Sequence, residues 1–139
     1  MSGQKKETPD YTAELRRREN AEPIASFLNM RLVELSPGYA RVVMKLQPEY
    51  QNFHGLTFGG IIMSVADQAF AYACNSIAYP SVASQFNIHF VAGAKMGDEL
   101  TAECRVVHSG RRVGISQISV TNQEGKLIAT ATATSIPMS

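Results

Sequence analysis

Little of this sequence is charged, and what charge there is nearly cancels. Charged residues make up 18% of the chain, and the formal net charge is +1. Nucleic-acid-binding domains carry a basic footprint; a net charge of +1 gives none, so no nucleic-acid partner is expected. Long apolar runs are missing too. The longest, around residues 60–74, contains Asp67 and falls short of the roughly 18–20 residues needed to cross a bilayer. No membrane partner is expected. The opening MSGQKKETPDYTAELRRREN is polar throughout and has no secretory h-region, so the expectation is a soluble, cytoplasmic protein. Cysteine is nearly absent. Cys74 and Cys104 sit in apolar contexts without a CxxC, which reads as two buried thiols in a reducing compartment, with a disulfide as the alternative.

The common enzyme signatures are also lacking. The chain has no GxSxG elbow, Walker loop, HExxH or dinucleotide fingerprint in the required context. His54, His89 and His108 are far apart and show no metal-ligand spacing, so no metal is expected. Internal repeats and low-complexity segments are not visible.

What remains is a chain of 139 residues, 45% of them hydrophobic. That length fits one domain, and the apolar content leaves a surplus for burial between subunits. Residues 1–9 read as a disordered leader. Asp10 to Asn20 read as a charged helix that breaks at Pro23, with Arg16, Arg17 and Arg18 on a solvated face and phosphate contact as the alternative. Residues 1–20 are therefore taken as leader and short helix, and 21–139 as a single domain. A helical turn (IASFLN) and a strand (MRLVELS) lead to the Pro37-Gly38 turn. Ala40, Val42, Met44 and Leu46 then alternate with more polar residues, the period of a half-buried strand, and Pro48 ends it. After a loop and Gly59-Gly60 comes IIMSVADQAFAYACNS, a helix apolar around almost its whole circumference, a pattern expected of an enclosed helix. Four strand-like runs follow. Phe86, Ile88 and Phe90 share a face, as do Leu100, Ala102, Cys104 and Val106; RRVGISQISVTN is the third run. Leu127, Ala129, Ala131 and Ala133 share a face in the last. The order predicts an α+β fold, one long helix wrapped by a curved antiparallel sheet.

Two features of residues 52–67, NFHGLTFGGIIMSVAD, bear on chemistry. A glycine turn at a helix start exposes backbone N–H groups that, with the helix dipole, stabilise developing negative charge. The Gly59 or Gly60 amide is thus a candidate oxyanion donor, or simply a helix start that needs unusual backbone angles. Asp67, inside an apolar helix, is either a hydrogen-bonded structural acid or a base or nucleophile facing a cleft. Gly59 and Asp67 are eight residues apart, about 12 Å along a helix. One chain does not readily bring both to one carbonyl. If both act, Asp67 of one subunit meets the turn of another, which requires a homodimer with antiparallel helices.

The pattern N-x-H-x5-G-G-x6-A-D, running into AFAYACNS, resembles the hotdog-fold acyl-CoA thioesterases of the phenylacetic-acid-degradation type. The likeness extends from about residue 20 to 136, and a late H-x-G-[RK] turn (His108, Gly110, Arg111) supports it. The resemblance implies a long helix in a curled antiparallel sheet, dimers that pair into homotetramers, and active sites between subunits. It implies hydrolysis of an acyl-CoA with no cofactor beyond the coenzyme A of the substrate. Asp67 would activate water or attack the thioester carbon, the Gly59 amide would hold the thioester oxygen, and Asn52 would position substrate or water. Gly60 and His54 would contact substrate at the turn, and Gln68 would orient water. Phe58 stands where the family usually has the histidine of His-Gly-Gly, and Ala83 where some relatives carry a serine. Arg111 and Arg112, at a strand start after a turn, are candidates for coenzyme A phosphates or plain hairpin charges; Lys95 is a lesser candidate of the same kind. His89 is read as a surface or interface residue. Tyr72, Phe70 and Phe53 are acyl-pocket candidates, with core packing as the default. The apolar helix points to an aryl or medium-chain acyl group. A non-catalytic acyl-CoA-binding module is the alternative, and a dehydratase of the same broad fold would need an Asp/His constellation not found here.

Overall fold

A computed structural model describes residues 8–138; most of the expected leader lies outside the described residues. Three helices are introduced as α1 (Thr12–Arg18), α2 (Pro23–Phe27) and α3 (Gly59–Ile77). Six strands are β1 (Met30–Ser36), β2 (Tyr39–Lys45), β3 (Ser81–Phe90), β4 (Glu99–Ser109), β5 (Gly114–Thr121) and β6 (Leu127–Pro137). They form one antiparallel sheet in the order β1-β2-β4-β5-β6-β3. Helix α3 packs against all six strands, so the sheet wraps around it as the sequence predicts.

Small side chains make this close wrapping possible. Ala102, Cys104, Ala129, Ala131 and Ala133 are buried on the sheet's inner face, and Ala66, Ala69 and Ala73 are buried on α3. With little side chain between them, helix and sheet backbones approach closely. Phe70 fills the remaining width, fully buried, with its ring edge-on to Phe86 at 6.0 Å. Removing a buried ring of this size costs about 3–5 kcal/mol. Turn chemistry sets the hairpins. Gly38 and Gly125 take positive φ of 78° in the β1–β2 and β5–β6 turns, a conformation glycine adopts without steric cost, and Asn122 Oδ1 accepts from the Glu124 and Lys126 amides. Cys74 and Cys104 are free and buried, and burial pushes their thiols up to about 11 and about 12.

The N-terminal segment belongs to the packed body from Tyr11 onward. The Tyr11 amide donates to the Ser76 carbonyl at 2.8 Å, and Leu15 of α1 is buried. Arg16 pairs with Glu19, and Arg17 and Arg18 pair with Glu14, the solvated helix face expected of that run. Pro23 opens α2 as its first residue, where its missing N–H costs nothing.

Three expectations need correction. Helix α3 is not enclosed on all sides: Gly60 and Asp67 are exposed, and Met63, Ser64, Ala71 and Asn75 are only half-buried. At 3.6 residues per turn these fall on one stripe, which the sheet does not cover. In β6, Leu127 does not share the face of Ala129. Thr121 pairs with Leu127 but Val120 pairs with Ala129, so Ile128 is an extra residue in a bulge. Ile128 is fully buried, while Leu127 faces out. Finally, β5 begins at Gly114, so Arg111 and Arg112 lie in the turn rather than at a strand start.

Candidate active site

Residues 51–57 form a tight loop closed by an isolated bridge between Gln51 and Thr57. Asn52 builds it. Its Oδ1 accepts from the His54 amide at 2.8 Å and the Leu56 amide at 3.2 Å, and its backbone N–H donates to the Leu56 carbonyl at 2.7 Å. Two backbone donors on one atom identify that end as the oxygen. The Asn52 amide nitrogen has no acceptor among the described residues. Gly55 completes the turn with φ of 78°.

The loop delivers the chain to the start of α3. Phe58 is extended there (φ −58°, ψ 133°), and no side chain caps the helix. The Phe58 carbonyl accepts from Ile61 and Ile62, whereas the Gly59 and Gly60 amides make no hydrogen bond among the described residues. Helix N-termini leave such donors free by construction. Both glycines are tightly overlaid. A Cβ at Gly59 would stand 3.2 Å from the Phe90 ring, and one at Gly60 would stand 2.9 Å from the Phe58 ring. Gly59 opens onto a cleft of about 350 Å³ that Asn52, Leu56, Thr57, Ile62 and residues 90–94 also line. Asn52 and Gly59 are thus brought to one place.

Asp67 is not in that cleft. It stands on the open stripe of α3, two turns from Gly59, exposed in the single chain rather than buried. Surrounding apolar atoms still desolvate it in part and raise its carboxyl above the ordinary 3.8, because the charged form loses hydration. Gln68 turns elsewhere. It is buried, and its amide nitrogen donates to Glu22 of the segment before α2, away from the Asp67 stripe.

The other candidates scatter. His54 is exposed on the loop, its ring 4.4 Å from that of Phe53, which is itself almost fully exposed. Phe58 is exposed over Gly60. Ala83 is exposed on β3 opposite Ser135, outside the cleft. Arg111 and Arg112 are exposed at the β4–β5 turn together with His108, and Lys95 and His89 are exposed as well. Phe70 is core, and Tyr72 is buried between α3 and the N-terminal helices. Sequence patterns did not single out Thr57, whose buried hydroxyl has no partner, nor the wall formed by residues 91–94. Both are products of tertiary packing without a local signature. Among the described residues no cluster of metal-ligating side chains occurs, and no helix is long and apolar enough to cross a membrane.

A free amide at the start of a long helix, an amide side chain beside it and a carboxylate further along the helix can polarise a carbonyl and activate water. The family model of the thioesterase superfamily matches residues 54–129, from this loop to the start of β6. The chain belongs to the thioesterase superfamily. The acyl-coenzyme A thioesterase PaaI of Escherichia coli K12 is 38% identical over 105 residues, covering 76% of this chain and 75% of that protein. The solved structure of the E. coli PaaI protein, from the phenylacetic acid degradation operon, superposes with a TM-score of 0.86 at 33% identity, covering 92% of this chain and 91% of that one. A hypothetical thioesterase protein of Streptococcus pneumoniae, solved with coenzyme A, superposes at 0.80 with 27% identity over 86% of this chain and 93% of that one. The fold of this superfamily member is the hotdog, and its enzyme class is thioester hydrolase.

Proposed function

We propose that this thioesterase hydrolyses the thioester of an aryl- or medium-chain acyl-CoA to the free acid and coenzyme A, at a site shared by two chains. The observation that carries the reading is the unbonded Gly59 amide at the mouth of an apolar cleft, with Asp67 about 12 Å further along the same helix. In this mechanism the Gly59 N–H donates to the thioester oxygen and stabilises the oxyanion as it forms. Asp67 of the partner takes a proton from water as the water oxygen attacks the thioester carbon. The carbon–sulfur bond then breaks, and the thiolate of coenzyme A leaves and is protonated. The free nitrogen of Asn52 supports the substrate from the side of Gly59. A backbone amide and a carboxylate supply the whole reaction, so it needs no cofactor beyond the coenzyme A carried by the substrate.

The open stripe on α3 supports the dimer. It is flanked by exposed Phe58, and β3 ends the sheet with an unpaired edge and exposed Val82 and Phe90. Apolar groups and free strand edges of this kind are normally covered, and a second copy running antiparallel would cover both. The family resemblance extends this to a pair of dimers. Apolar lining by Leu56, Ile62, Phe90 and Val91 supports an aryl or medium-chain acyl group over a small polar one. Thiol release from a panel of acyl-CoAs of graded length and aromaticity tests the reading. Turnover of aryl or medium-chain members above acetyl-CoA is expected. Stoichiometric binding without thiol release would replace the hydrolase by a binding module.

A further inference from the structure

Two buried hydroxyls have no hydrogen-bond partner among the described residues, those of Thr57 and Ser116. Ser116 lies deep in the sheet against the Cys104 thiol. Thr57 differs because it lines the cleft that Gly59 opens onto, and it is only 5% exposed. Its backbone amide is used for structure and donates to the Ala94 carbonyl at 2.8 Å. The hydroxyl is left over. A buried hydroxyl without a partner is destabilising, and bulk water does not relieve it here.

We propose that Thr57 is a substrate-binding residue whose hydroxyl hydrogen-bonds the first amide of the thiol arm of an acyl-CoA. The assignment rests on the reading of Gly59 as the amide that holds the thioester oxygen. Thr57 precedes Gly59 by two residues, and the intervening Phe58 is extended, which separates the two positions by about 7 Å. In coenzyme A the first amide nitrogen stands four bonds from the thioester carbon, a comparable span. An aryl or alkyl acyl group offers no polar atom at that distance on the other side. A hydroxyl both donates and accepts, which suits an amide with one donor and one acceptor.

The test uses the full chain and two variants, Thr57→Val, which keeps the shape and removes the hydroxyl, and Thr57→Ser, which keeps the hydroxyl. Steady-state hydrolysis of one acyl group is measured as its CoA ester and as its N-acetylcysteamine ester, which retains only the first amide. Thr57→Val is expected to raise KM about tenfold on both esters with kcat changed less than about threefold. Thr57→Ser is expected to stay near the parent. The melting temperature of Thr57→Val is expected to hold or rise, since an unpartnered hydroxyl is removed. An unchanged KM overturns the proposal, and so does equal damage by serine and valine. Loss on the CoA ester alone overturns the assignment to the first amide. Calorimetric binding of a non-hydrolysable acyl-CoA thioether separates this from the hydrolase reading. Weaker binding by Thr57→Val alone sustains the Thr57 role even if the parent proves inactive, and equal affinities of parent and variant refute it.

Discussion

Replacing Asp67 with asparagine keeps the side chain's size and removes its ability to accept a proton. The proposed chemistry then loses its base, and kcat is expected to fall by at least about 10²-fold, measured as thiol release. The same residue predicts a pH profile. As the proposed base Asp67 is competent only when ionised, and partial burial raises its pKa above 3.8, so activity is expected to fall as pH drops through that raised value. For stability the sign is opposite. A carboxyl that titrates higher in the folded chain than in the unfolded one favours folding when protonated and opposes it when ionised. Asp67→Asn is therefore expected to raise the melting temperature at neutral pH, with the gain vanishing below the unfolded value. At this scale the sequence was partly legible. Gly59, Asn52 and Asp67 were readable because glycine, amide and acid types break an apolar pattern. The exposure of Asp67 was not, because composition cannot tell an open stripe from one covered by the chain's own sheet. Thr57 could not be found, since only packing shows that its hydroxyl lacks a partner.

Helix α3 allows a cleaner test of the oxyanion donor than a side-chain deletion does. Gly59 is the first residue of the helix, and Phe58 before it has the extended backbone that a following proline requires. Gly59→Pro therefore deletes the N–H while leaving every intrahelical bond in place. The Phe90 ring, about half exposed, must give way to the added carbons. Activity is expected to fall about 10²–10³-fold, with circular dichroism and melting temperature close to the parent. Activity within threefold of the parent would remove Gly59 from the mechanism. Elements themselves were legible wherever a period was clean, as in β2 and β4, and α3 was legible as a long apolar run opened by Gly59-Gly60. Strand β6 was misread at one end because the bulge at Ile128 shifts the phase of an alternation that looks regular from Leu127 onward. Pairing with β5 decides that phase, and it has no local signal.

For the whole molecule, the wrapped helix explains why the two principal groups face different ways. The sheet and the N-terminal helices cover most of α3 and leave Asp67's stripe open, while Gly59 faces a cleft built by its own chain. If Asp67 serves the Gly59 of another chain, mixing two inactive variants restores a working site. Asp67→Asn and Gly59→Pro chains are co-expressed with different tags, and the doubly tagged oligomer is isolated and assayed. In that mixed dimer one of the two sites combines an intact Gly59 with an intact Asp67 from the other chain. Activity is expected to return to about half the parent value per dimer, while each variant alone stays inactive. A mixed dimer as inactive as either variant would contradict it.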